Sequence, residues 1–290
     1  MRIDLHVHSS ASDGTDPPAE VARRAAAADL DVVALTDHDT MAGVAAAAAA
    51  LPPGLTLVPG LELSCLHGDR SVHLLGYLCD PGDPALAAET ELIRDDRVHR
   101  AKAMVARLAE LGAPVTWEKV AAIAGGAVVG RPHIGRALAE AGVVATPADA
   151  FTADWIADGG RAHVGRYAPD VARAIALVRA AGGVPVLAHP RSPGYEIADR
   201  VVAGLAAAGL AGLEVFHPDH DFPERKRLTQ LAIQLNLVMT GGSDDHGAFN
   251  ESGLGSETTP PAQHERLLAL ATGSRPVTGP AAGPALTERR

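Results

Sequence analysis

Apolar residues along this 290-residue chain fall into two rhythms. From Arg2 to His8 they alternate, with Ile3, Leu5 and Val7 on one side and Asp4, His6 and His8 on the other, which predicts a strand. The run Val32–Leu35 is wholly apolar, as in a strand covered on both faces, and Leu55–Val58, Val72–Leu78, Val184–Ala188, Ala211–Phe216 and Leu237–Thr240 also read as strands. Helix signals lie between them. Asp16 is placed to cap a first helix with Pro17 in its first turn, running to about Asp29. An alanine-rich helix follows from Met41 and closes at Pro52-Pro53-Gly54. Further helices are predicted over Asp170–Ala181, Pro223–Leu235 and about Gln263–Ala271. Strand alternating with helix is the pattern of an α/β barrel.

The rhythm breaks between residues 85 and 165. Glu89–Leu111 reads as one long amphipathic helix ended by Gly112, with Leu92, Val98, Met104, Val105 and Leu108 among its apolar positions. Trp117–Ala124, Pro132–Ala141 and Pro147–Ile156 read as shorter helices, and no strand of note interrupts them. The expected organisation is a barrel built from residues 1–84 and 166–290, with a helical subdomain of residues 85–165 inserted over its mouth. The Pro-, Gly- and Ala-rich tail from Gly273 is expected to be loosely ordered.

Composition narrows the classes. The hydrophobic share of 47% is ordinary for a globular protein, and with 3% aromatics the core must be mostly Ala, Val and Leu. Two cysteines, Cys65 and Cys79, exclude a disulfide framework and point to a reducing cytoplasm, each expected as a small buried residue. The chain starts directly with a strand, so no signal peptide is expected, and no run is apolar enough to span a bilayer. No obligate protein partner is evident. A formal net charge of −10 argues against a general nucleic-acid coat protein. If the substrate is a phosphate ester, cations must be concentrated at its site.

Candidate chemistry gathers near the strand ends. His6 and His8, two residues apart on one strand face, make a clip for a divalent metal that accepts imidazole and carboxylate together. Asp13, in the following turn, can fold back over them. His38, Glu62, His73, His189, Asp244 and His246 occupy ends or edges of later strands. Asp37 and Asp39 are expected to orient neighbours or cap a helix rather than ligate. Asp245 is expected at the solvent, and His217 and His220 as structural or solvent-facing residues.

The segments Asp4-Leu-His-Val-His8, Thr36-Asp-His-Asp39, Gly60-Leu-Glu62, Ala188-His-Pro190 and Gly242-Ser-Asp-Asp-His246 occur in order. Together they resemble the polymerase-and-histidinol-phosphatase (PHP) family of metal-dependent phosphoesterases. The resemblance implies a distorted seven-stranded (β/α)7 barrel holding two or three divalent ions, Mn, Fe or Zn. It assigns His6, His8, Glu62 and Asp244 to a first ion and Glu62, His73 and His189 to a second, with Glu62 bridging. Asp13, His38 and His246 go to a third. The helical insert is similar to the nucleotide-hydrolysing branch, whose Arg-x-His element matches Arg131 and His133. These two residues, with Arg191, are expected to contact substrate phosphate. The implied activity is hydrolysis of a phosphate monoester of a small nucleotide, AMP or a nucleoside 3′,5′-bisphosphate, by a metal-activated water. His189 or His246 would assist the leaving oxygen. The alternatives are a 5′-to-3′ exoribonuclease on short RNA, a histidinol phosphatase and a non-catalytic module of the same fold.

Overall fold

The computed structural model describes residues 1–126, 128–193, 196–249 and 253–281. Seven strands follow one another around the sheet in chain order: β1 (Ile3–Asp4), β2 (Val32–Leu35), β3 (Thr56–His67), β4 (Arg70–Tyr77), β5 (Val184–Leu187), β6 (Gly212–Phe216) and β7 (Val238–Gly241). The last returns to the first through hydrogen bonds from Leu5 N to Gly241 O (3.2 Å), Asp244 N to His6 O (2.8 Å) and His8 N to Asp245 O (2.9 Å). Gly242 is required at this seam: a Cβ there would lie 2.4 Å from the His6 backbone nitrogen. The result is a nearly closed barrel. Ile3, Leu5, Ala34, Val58, Leu75, Tyr77, Val186 and Val238 fill its apolar layer, and Tyr77 donates its hydroxyl hydrogen to Leu5 O at 2.8 Å.

Two strands depart from the predicted pattern. The β1 ladder stops at Asp4, and the alternation is interrupted there: Ile3 and Leu5 share the barrel core, whereas Val7 packs with side chains of α1 (Pro18–Ala27). Asp4 turns away from the two histidines and accepts hydrogen bonds from Ser243 Oγ and the backbone nitrogens of His6, Ser243 and Gly255. The second departure is β3, which continues through Pro59-Gly60 for twelve residues and forms an antiparallel hairpin with β4. No helix separates these two strands, and β4 runs antiparallel to both its neighbours. Glu62 therefore sits within a strand rather than beyond its end.

The helices α1, α2 (Val44–Ala49), α6 (Val171–Ala180), α7 (Asp199–Ala207), α8 (Phe222–Gln234) and α9 (Pro261–Leu270) alternate with the strands. Pro17 rather than Asp16 holds the N-cap of α1, without a side-chain hydrogen bond; Asp16 instead pairs with Arg24. Between β4 and β5 come α3 (Pro84–Glu110), α4 (Trp117–Ala124), α5 (Arg131–Glu140) and a 3-10 turn at Pro147–Ala150, where a longer helix was expected. Asp83 caps α3 by accepting from Leu86 N. Met104, Leu108, Val120, Ile134, Leu138 and Ile156 belong to a core cluster drawn only from residues 101–162. Residues 273–281 of the tail are more ordered than their composition predicts. Ser274 N donates to Leu78 O, and β8 (Val277–Thr278) pairs antiparallel with Thr56 and Leu57 of β3. Residues 282–290 lie outside the described residues. Cys65 and Cys79 are both buried. Among the described residues no helix is long and apolar enough to cross a membrane.

Candidate metal centre

All nine predicted ligands meet at the mouth of the barrel. β1, β2, β5 and β7 deliver residues from just beyond their C-terminal ends, and β3 delivers Glu62 from inside. His73 arrives from near the start of its strand, which works because β4 is reversed. Glu62 stands at the centre, 1% exposed, and its two oxygens face different partners. Oε2 lies 3.3 Å from His6 Nε2, 3.2 Å from His8 Nε2 and 3.1 Å from His38 Nδ1. Oε1 lies 3.0 Å from both His73 Nδ1 and His189 Nε2. Asp244 Oδ1 completes the first group, 3.3 Å from His6 Nε2 and 3.1 Å from His8 Nε2. Asp13 gathers a further group, with His246 Nε2 at 3.4 Å, His38 Nε2 at 3.7 Å and His8 Nδ1 at 3.8 Å.

Three sets of donor atoms are close enough to share a cation: His6, His8, Glu62 and Asp244; His38, Glu62 and His73; and His8, Asp13, His38 and His246. His38 and His8 thus each face two groups, one ring nitrogen to each. Among the described residues, His6 Nε2, both ring nitrogens of His8 and His38 Nδ1 are buried without a hydrogen-bond partner. Buried polar atoms are rarely left so, and these all aim at the same small volume. The donor set of imidazoles and carboxylates suits Mn, Fe or Zn.

The electrostatics agree. Burial alone would raise the Glu62 carboxyl, but the surrounding His38, His73 and His6 hold it well below the usual range. Asp244 and Asp13 are held down in the same way. His8 is pushed up to about 10, because Asp244 and Glu62 outweigh its burial, while burial pushes His38 down to about 3. Backbone geometry is also unusual here. Asp39, His189 and Asp244 hold φ of 54°, 25° and 51°, a region non-glycine residues occupy at a cost.

Supporting residues fix the loops. Asp37 accepts from Ser9 N, Ser9 Oγ and Ser12 Oγ at 2.7 Å each. Asp39 accepts from Ser64 N at 2.7 Å and from Arg97 Nε at 2.8 Å. Asp245 is buried rather than solvent-facing, 3.1 Å from Arg24 Nη1. His217 and His220 are buried as well. His217 Nδ1 accepts from Asp219 N, so its Nε2–H faces Asp244 Oδ2 at 3.4 Å. His220 Nε2 accepts from Arg191 N. Glu214, unforeseen from the sequence, lies beneath His6; a glutamate at the centre of the apolar run Gly212–Phe216 was the available signal. A cavity of about 170 Å³ opens over the centre, lined by His38, Glu62, His73, His189, His217 and Asp244 among others.

Arg191 does not line that cavity. Its guanidinium pairs with Asp199 and Glu224. Arg131 pairs with Asp158 (2.7 Å), and His133 is buried with Nδ1 accepting from Gly130 N. Arg131 belongs to a group of four guanidiniums. Burial, then the charges of Arg131, Arg166 and Arg97, push Arg100 down to about 9. Arg97 binds Asp39, beside His38, and Arg166 donates to Ser71, two residues from His73. His133 feels the charge of Asp13. Cations thus crowd one flank of the centre in a chain of net charge −10.

A barrel that gathers histidines and acids around a shared, buried glutamate is a site for divalent cations of the kind that metal-dependent hydrolases use. The PHP domain matches residues 4–114. The chain is 34% identical over 255 residues to the 3′,5′-nucleoside bisphosphate phosphatase of Chromobacterium violaceum, covering 84% of this chain and 87% of that protein. It is also 34% identical to a phosphoribosyl 1,2-cyclic phosphate 1,2-diphosphodiesterase of Eggerthella lenta (86% and 95% covered). A 5′-3′ exoribonuclease of Haemophilus influenzae is 32% identical (84% and 90%). A solved structure from Bifidobacterium adolescentis, described as a metal-dependent phosphoesterase, superposes with a TM-score of 0.86 at 36% identity, covering 93% of this chain and 96% of that one. The chain belongs to the PHP family and is a metal-dependent phosphoesterase, which sets aside the non-catalytic alternative.

Proposed function

We propose that the protein releases phosphate from a small nucleotide, with a nucleoside 3′,5′-bisphosphate or AMP as substrate. The observation that carries this reading is the arginine group beside the metal centre. A simple phosphate monoester needs charge neutralisation only where it is cleaved. A substrate with further negative charge, or a nucleotide to be oriented, uses a second cationic patch. The 34% identical bisphosphate phosphatase supports the same choice.

In this reading His6, His8, Glu62 and Asp244 hold one divalent ion. Glu62, His73 and His189 hold a second, which His38 also faces. Asp13, His38 and His246 hold a third, with His8 alongside. Bound ions at such a site supply a water nucleophile at neutral pH and neutralise charge on the phosphoryl oxygens. The chain positions the substrate through Arg131, His133 and Arg100, which stand outside the walls of the cavity, and Arg131 exchanges Asp158 for substrate phosphate. The cavity walls limit bulk water, and His189 or His246, when not engaged by a cation, offers a proton to the leaving oxygen. Residues 85–165 act as a subdomain over the mouth. Their own core supports this, as do the Arg97–Asp39 pair and the hydrogen bond from Arg94 Nη1 to Asp39 O.

The second reading is 5′-to-3′ cleavage of short RNA, favoured by the 32% identical exoribonuclease. A panel with manganese separates the two: AMP, a 3′,5′-bisphosphate, histidinol phosphate and a short 5′-phosphorylated RNA. Phosphate release from the bisphosphate or AMP is expected. Mononucleotide laddering without it would favour the second reading, and no phosphate from any nucleotide would overturn the first.

A further inference from the structure

Glu214 occupies the middle of β6, and its side chain is wholly buried. Each of its oxygens has one task. Oε1 lies 3.0 Å from His6 Nδ1, and Oε2 accepts the backbone N–H of His189 at 2.7 Å. On the far side of the His6 ring, Nε2 has no hydrogen-bond partner among the described residues and faces Glu62 Oε2 and Asp244 Oδ1, both at 3.3 Å. An imidazole that donates through Nδ1 presents its lone pair at Nε2, the form a divalent cation binds. At His189, a φ of 25° is a conformation the chain does not hold without restraint.

We infer that Glu214 is a positioning residue that ties two cation sites together. One oxygen sets the tautomer and tilt of His6 for the first site. The other pins the strained backbone of His189 for the second. The inference rests on the proposal that His6 and His189 hold divalent ions.

An amide cannot replace this carboxylate, although it has the same shape. In Glu214→Gln, an oxygen turned to His6 leaves the NH2 group against the His189 N–H. The opposite turn sets NH2 against His6 Nδ1, which favours the Nε2–H tautomer and closes that nitrogen to a cation. Either orientation disables one site.

The test titrates Zn²⁺ into the chelator-treated full-length protein, wild type and Glu214→Gln, by calorimetry. Histidine ¹⁵N NMR of the zinc-loaded wild type follows, with His6 assigned through His6→Gln. The expected result is a loss of roughly 10–100-fold in affinity at one or more sites in the variant, and His6 bound through Nε2 with Nδ1 protonated in the wild type. A purely structural role would lower Tm while leaving zinc affinity unchanged. Equal affinity and stoichiometry in the two proteins would overturn the inference alone, as would His6 bound through Nδ1. Should Glu214→Gln fail to fold, the wild-type NMR result decides. No zinc uptake by the wild type would overturn the metal proposal itself, and this inference with it.

Discussion

Two clusters of ionisable side chains sit side by side in this protein, and they are built in opposite ways. The metal centre collects its residues from strand ends and adjoining turns, so a closed barrel brings them together. The arginine cluster takes Arg97 and Arg100 from α3, Arg131 from the start of α5 and Arg166 from an irregular segment. The first is imposed by the architecture. The second exists only because separate segments pack in one particular way. Local change should therefore weaken the first by chemistry and the second by geometry.

The largest effect is expected at Glu62. Glu62→Gln removes the charge that both halves of the centre share, and kcat/KM should fall by on the order of 10³-fold or more in a phosphate-release assay. A fall under tenfold would show that the two sides of the centre do not depend on one another. Chelation should abolish turnover, and added Mn²⁺ should restore it.

Arg100→Gln is next. It has no carboxylate partner within an ion-pair distance among the described residues, but its Nε donates to Val164 O at 2.8 Å, so its loss should cost about 1 kcal/mol in folding. KM for a 3′,5′-bisphosphate should rise by roughly 10–100-fold with kcat nearly unchanged, the worth of a charge-assisted hydrogen bond. An equal rise for p-nitrophenyl phosphate would make the arginine cluster a support of the metal centre rather than a subsite.

Acidity separates the clusters differently. In the metal-free protein His8 binds its proton more tightly folded than unfolded, near 10 against an ordinary 6.5. Its contribution to stability is thus fully present below pH 6.5 and lost as pH rises through about 10. A divalent ion must displace that proton, so its affinity should increase over the same window. Thermal melts in chelator and in Mn²⁺, from pH 6 to 10, should converge at low pH and diverge at high pH. His8→Gln should flatten the metal-free curve.

The smallest effect is expected at Arg24, which holds buried Asp245 beside His246. Arg24→Ala should destabilise by about 1–3 kcal/mol, the worth of a hydrogen bond between charged groups, since Asp245 Oδ2 then keeps only the Gly247 N–H. A chemical melt would measure it, with little change in KM.

The same contrast explains what was legible in the sequence. Strand-end motifs such as Thr36-Asp-His-Asp39 announce themselves, because the period of a strand fixes where its last side chains point. The hairpin was harder to see: Pro59-Gly60 looks like a strand's end, yet β3 runs through it. Arg191 was hard to place for another reason. Its place after His189 put it near the mouth, but Asp199 and Glu224 draw its side chain away, and such partners have no sequence spacing. Glu214 and the arginine group depend on contacts between segments distant in the chain, which no periodicity records.

The short strand near the C-terminus has its own consequence. β4 pairs only with the second half of β3, from Gly60 onward, and Val277–Thr278 covers Leu57 and Thr56 in the first half. Cutting the chain ahead of Val277 would bare a stretch of unsatisfied backbone, a template on which a second molecule can add. Concentration-dependent clumping of such a truncated protein, with its catalysis intact when dilute, is the behaviour this arrangement anticipates.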